Sequence, residues 1–93
     1  MGSLRTNISV YFIDDDPAVL SSASQTLELS GRTVVTYDRA IPALDTLSVE
    51  LPSVVIVDVR MPEMDGLEFL EKAMMIDPEL PVILLTGHGD VDM

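Results

Sequence analysis

The chain has 93 residues, no cysteine, and 16 acidic side chains against 5 basic ones, for a formal net charge of −11. That length allows one domain burying roughly 60–70% of its unfolded surface, and an apolar share of 47% is ample for its core. The charge argues against a nucleic-acid or anionic-membrane surface, because phosphates would be repelled, and the absence of cysteine removes disulfides, a thiolate nucleophile and a cysteine zinc site.

No apolar run approaches the ~18 residues of a membrane span, and the first residues, MGSLRTN, lack the apolar stretch of a signal peptide. A soluble, cytoplasmic domain is expected. Met1 to Ser3 read as a cloning remnant rather than natural sequence.

Ile8 to Ile13 (ISVYFI) is apolar and β-rich with no polar alternation, which predicts a buried parallel strand. Asp14, Asp15 and Asp16 end it. Asp16-Pro17 reads as a helix N-cap followed by proline at the first helical position. Val19, Leu20, Ala23 and Leu27 then recur at helical spacing until Gly31, which is placed to end the helix. Thr33 to Tyr37 (TVVTY) is more polar and alternates, as a strand nearer an edge does. A short helix follows over Ala40 to Leu47, with Pro42 in its first turn, where a missing N–H costs little.

Leu51-Pro52-Ser53 punctuates the chain, and Val54 to Val57 form a third strand that runs straight into Asp58. After a turn holding Pro62, the pair Asp65-Gly66 reads as turn and N-cap. Leu67, Leu70, Ala73 and Met74 mark an amphipathic helix that Pro78 halts. Met74 is expected in the core and Met64 exposed, where it can dock a partner. Pro81 to Leu85 (PVILL) is a fourth apolar run, closed by Thr86-Gly87. Strands alternating with helices predict an α/β fold whose parallel strands are joined by right-handed crossovers.

In such a sheet ligands bind beyond the carboxyl ends of the strands. The first run ends at Asp14 and Asp15, the third at Asp58 and the fourth at Thr86, so all these residues lie on one rim. If the first and third strands are neighbours, the acids converge. Clustered carboxylates repel and raise one another's pKa, a conflict that a divalent cation resolves. An oxygen-only ligand set favours Mg²⁺ or a similar hard ion. A carboxylate beside such an ion can attack a phosphoryl group in line to give an aspartyl-phosphate, and Thr86 can hydrogen-bond a phosphoryl oxygen. The turn at Arg60-Met61-Pro62 offers backbone groups close by. An EF-hand does not fit: with Gly66 as the loop glycine, the first position falls on Met61 and the twelfth on Lys72.

IDDDP (Ile13 to Pro17), VDVRMPEMDG (Val57 to Gly66) and LLTGHGD (Leu84 to Asp90) together resemble the receiver domain of two-component response regulators. LPVILLTGHGDVDM further resembles receivers of the nitrogen-regulatory class, particularly those of C4-dicarboxylate transport regulators. The resemblance implies a flavodoxin-like (CheY-like) doubly wound parallel sheet of strand order 2-1-3-4. It implies Asp58 as phosphoacceptor, Asp15 as direct Mg²⁺ ligand, Asp14 as its partner acting through water, Arg60 as backbone-carbonyl ligand and Thr86 as the hydroxyl that follows the phosphoryl group. Asp16 is left as an N-cap. It also implies a sensor histidine kinase as donor. The output would come from an AAA+ ATPase acting on σ54 polymerase and a DNA-binding domain, neither of them present here. Such a receiver is a switch, catalysing at most its own phosphorylation and dephosphorylation.

Receivers of this family also carry a fifth strand with a lysine that contacts the phosphoryl group and a switch aromatic. The one lysine here is Lys72, on the third helix, so residues 1–93 read as a C-terminally incomplete receiver. Its apolar edge at Val82 to Leu85 is expected to pair with another chain, as in a homodimer. His88, in a glycine-rich loop, is expected to be exposed, modulating partner contact or phosphoryl lifetime. Two other readings compete. A protein-interaction module without phosphoryl chemistry is one. An aspartyl-phosphate phosphatase is the other, but it needs an acid two residues after the nucleophile, where Arg60 stands.

Overall fold

The computed structural model describes residues 8–86; the readings made of Met1 to Ser3, Gly87 and His88 lie outside them. Within that span the elements are β1 (Ser9–Ile13), α1 (Pro17–Leu29), β2 (Thr33–Tyr37), α2 (Ala40–Leu47), β3 (Val54–Asp58), α3 (Gly66–Ile76) and β4 (Val82–Leu85). The strands form one sheet in the order β2-β1-β3-β4, and every pairing is parallel. The more polar β2 is indeed an edge, and the winding reverses between β1 and β3, where Val10 to Ile13 pair with Val54 to Val57.

Local chemistry sets the helix ends. Asp16 adopts an extended backbone and its carboxylate accepts the Ala18 N–H at 2.9 Å, with Pro17 opening α1. At the other end Gly31 takes φ +89°, its N–H donating to Glu28 O and the next N–H, of Arg32, to Leu27 O. This pair of bonds is a Schellman cap, which requires the left-handed conformation that glycine adopts freely. In α3, Asp65 caps the Glu68 N–H at 2.9 Å.

One face of the sheet is the hydrophobic core, in which Tyr11, Ile13, Val55 and Val57 meet Ala40, Ala43 and Leu47 of α2 and Phe69 and Ala73 of α3. The opposite face carries α1, none of whose side chains is fully buried. Between α1 and the strands an apolar groove of about 600 Å³ is lined by residues that include Phe12, Ala23, Leu27 and Ile56.

The phase of α3 differs from the expected one. Gly66, Phe69 and Ala73 are its buried positions, whereas Leu67 and Met74 are 52% and 44% exposed. At about 100° per residue these two lie roughly a quarter-turn from Gly66 at the edge of the buried stripe; Ala73 is buried as expected, and Phe69 rather than Met74 is buried with it. Met64 is also corrected: it is half-buried and packs against the core cluster rather than standing free.

Candidate functional site

β1 and β3 are adjacent and in register, with Ile13 opposite Val57, so the residue after each, Asp14 and Asp58, emerges at the same height on the carboxyl rim. Asp14 is 4% exposed and so is Asp58; Asp15, in the turn that follows, is open to solvent. Each of the three offers a carboxylate oxygen, and those oxygens lie within 4.8 Å of one another. The convergence expected of the first and third strands is therefore present.

Both buried acids spend one oxygen locally. Asp14 Oδ1 accepts the Asp16 N–H at 2.9 Å, and Asp58 Oδ1 accepts the Arg60 N–H at 3.2 Å. Each is a bond from a carboxylate to the backbone two residues on, which fixes the side chain and curls the chain after the strand. These two turns were not legible in the sequence; an Asp at a strand end followed by a tight turn was the only signal. Arg60, whose backbone carbonyl is the expected ligand, donates its backbone N–H to Asp58 Oδ1, and its side chain is exposed.

Among the described residues the one ion pair joins Arg39 to Asp38, so no basic side chain balances the three acids. Burial pushes the Asp14 carboxyl above its usual pKa; the Asp16 N–H opposes that shift, and the charges of Asp58, Asp15 and Asp16 add to it. Two buried carboxylates without a counter-charge among the described residues, and with all-oxygen donors, fit a hard divalent cation.

Register also places the fourth strand at this rim. Leu85 lies opposite Asp58, and Val59 N–H donates to Leu85 O at 2.9 Å. Thr86, the next residue, is exposed at that strand end. Lys72 is exposed in the second half of α3.

A residue that the sequence reading gave no role beyond a turn closes the loop behind Asp58. Gly66 N–H donates to Val59 O at 2.9 Å. A side-chain Cβ built on Gly66 would stand 2.6 Å from Asp58 O and 2.8 Å from Val59 Cα. Inside the loop Glu63 has φ 70°, and Met64 N–H reaches back to Pro62 O at 2.8 Å, a tight three-residue turn.

The sequence matches the response regulator receiver domain over residues 10–93, and the chain belongs to that family; a parallel sheet of order 2-1-3-4 with an acidic rim at its winding reversal accords with it. Among individual proteins it is 49% identical over 85 residues to the C4-dicarboxylate transport transcriptional regulatory protein DctD of Rhizobium meliloti, covering 91% of this chain. It is 36% identical over 83 residues to the DNA-binding transcriptional regulator NtrC of Escherichia coli, covering 89% of this chain. In both cases the match spans 18% of the relative's length.

Solved structures agree. A CheY-like receiver domain from Methanospirillum hungatei superposes with a TM-score of 0.85 at 31% identity, covering 92% of this chain and 69% of that one. The beryllofluoride-activated NtrC receiver domain gives 0.78 at 34% identity, with the same coverage of 92% and 69%. Among the described residues no helix is long and apolar enough to cross a membrane.

Proposed function

We propose that this receiver accepts a phosphoryl group on Asp58 from a phosphohistidine of a sensor kinase. The carrying observation is the meeting of the Asp14, Asp15 and Asp58 carboxylate oxygens within 4.8 Å at the ends of two neighbouring strands. Asp14, Asp15 and Asp58, with the backbone carbonyl of Arg60, would hold Mg²⁺. That ion supplies charge neutralisation for the phosphoryl oxygens.

Asp58 is the nucleophile. Its carboxylate attacks phosphorus in line while the phosphorus–nitrogen bond breaks and the imidazole nitrogen keeps the electron pair. The Arg60 N–H holds Asp58 Oδ1 and leaves the second oxygen to react. Thr86, one residue past the strand position opposite Asp58, donates its hydroxyl to a phosphoryl oxygen. Asp14 and Asp15 are ligands and do not react.

In this reading the chain is a switch and not an independent enzyme. Its state is passed to an AAA+ ATPase and a DNA-binding domain of a longer, cytoplasmic, σ54-dependent regulator, with a homodimer as the assembled form. The likeness to DctD and NtrC supports that assignment, as does a beryllofluoride-activated relative of the same fold. The test is Mg²⁺ with beryllofluoride, followed by backbone NMR. Shifts at the residues flanking Asp58 that vanish in Asp58→Asn are expected. Identical spectra for the two proteins would reject phosphoacceptance and leave a protein-interaction module.

A further inference from the structure

We infer that Gly66 is a positioning residue for the acidic site, setting the height of Asp58 and the course of the Arg60 backbone through direct backbone contact. The inference rests on the proposed metal site and assigns it a residue that touches neither metal nor phosphoryl group. A Cβ on Gly66 would meet Asp58 O at 2.6 Å, Val59 Cα at 2.8 Å and Asp58 C at 3.0 Å, all of them main-chain atoms. No flexible side chain is there to give way.

The strand offers little give either. Asp58 ends a strand with partners on both sides, and Val59 is tied to Leu85 O at 2.9 Å. Gly31 is the glycine with a left-handed backbone among the described residues, so Gly66 is required for space and not for its dihedral angles. Alanine there is conformationally allowed, and its effect reports on the contact alone.

The geometry forms a closed clamp. The first residue of α3 sits on the Asp58–Val59 peptide, and its N–H closes the loop on Val59 O at 2.9 Å. Between those pins the Arg60 N–H holds Asp58 Oδ1 at 3.2 Å, and the turn centred on Glu63 takes up the slack at φ 70°. A methyl group at position 66 lifts the helix start off the strand or pushes the Asp58 peptide down. Either movement carries Asp58 away from Asp14 and Asp15.

The test is manganese(II) binding by the whole chain, followed by loss of the aqua-ion EPR signal. Gly66→Ala is expected to weaken affinity about tenfold or more, the range typical of groups that orient metal ligands, while the sheet resonances persist. Gly31→Ala is the control: it strains a left-handed residue with nothing within 4 Å of the new Cβ and is expected to lower thermal stability without changing affinity. Folded Gly66→Ala with unaltered affinity overturns the inference, as does an equal loss in Gly31→Ala. Should Gly66→Ala not fold, Asp65→Ala loosens the same helix start by removing its cap on Glu68 N–H. A weakened affinity then supports the inference and an unchanged one overturns it. Absence of manganese binding by the unsubstituted chain removes the proposed metal site and this inference together, whereas binding that survives in Gly66→Ala removes the inference alone.

Discussion

The β1–β3 pair ends in polar residues both below and above, and the two ends are built on opposite plans. At the amino end Ser9 N–H donates to Ser53 Oγ at 3.0 Å, and Ser53 N–H donates to Ser9 O at 2.8 Å and to Ser9 Oγ at 3.3 Å. These groups are neutral and satisfy one another. At the carboxyl end Asp14 and Asp58 are buried, charged when ionised, and each has one oxygen committed to a backbone N–H. The lower clasp pairs neutral groups with one another at an exposed site, and the upper end keeps buried carboxylate oxygens in reserve. Polar residues at a strand end thus indicate a ligand only where their demand is left unmet.

The shaft joining the two ends carries the largest expected effect. Ile13 is fully buried directly below Asp14, and Ile13→Ala should cost about 2–5 kcal/mol in denaturant unfolding while also weakening manganese binding. Next in size is the ligand's own contribution. Mg²⁺ at a hundred times its Kd should stabilise the chain by about 2.7 kcal/mol. Chelation should abolish that gain and Asp58→Asn should sharply reduce it, as thermal melting will read.

At the lower clasp Ser53→Ala should cost only about 0.5–1.5 kcal/mol, the net worth of a neutral hydrogen bond, with metal affinity unchanged. If affinity falls as well, the two ends are not independent. The smallest change has the most informative sign. Asp14 has a raised pKa in the metal-free fold, so its contribution to stability is fully present below the unfolded carboxyl value and is lost as pH rises through the folded one. Asp14→Asn should therefore raise metal-free stability at neutral pH, give no gain at pH values where Asp14 is protonated in both states, and weaken metal binding. A loss of stability at neutral pH would contradict the picture of an uncompensated buried charge.

Much of this was legible in the residues. Continuous apolar runs such as VVIV announce buried parallel strands, and an acid closing two of them locates the rim. The two helix caps at Asp16 and Asp65 were equally plain, because short acceptors before a helix have a fixed local geometry. The phase of α3 was not legible. Leu67 and Met74 are as apolar as any core residue, but with Gly66 seated on the Asp58–Val59 peptide it is Phe69, beside the expected Ala73, that faces inward. Nor could the order DDD show that the first acid is buried and the second exposed; Asp14 follows Ile13 at the strand end beside Asp58, and Asp15 falls in the turn beyond.

Asp14 and Asp58 belong to segments separated in sequence by all of α1, β2 and α2. They become neighbours only when two parallel strands dock across that long connection, a non-local pairing that must first meet its loop-closure cost. An ion held between them has nothing to grip in a half-assembled chain. Occupancy should therefore lengthen the lifetime of the finished fold while leaving the speed of its formation almost untouched.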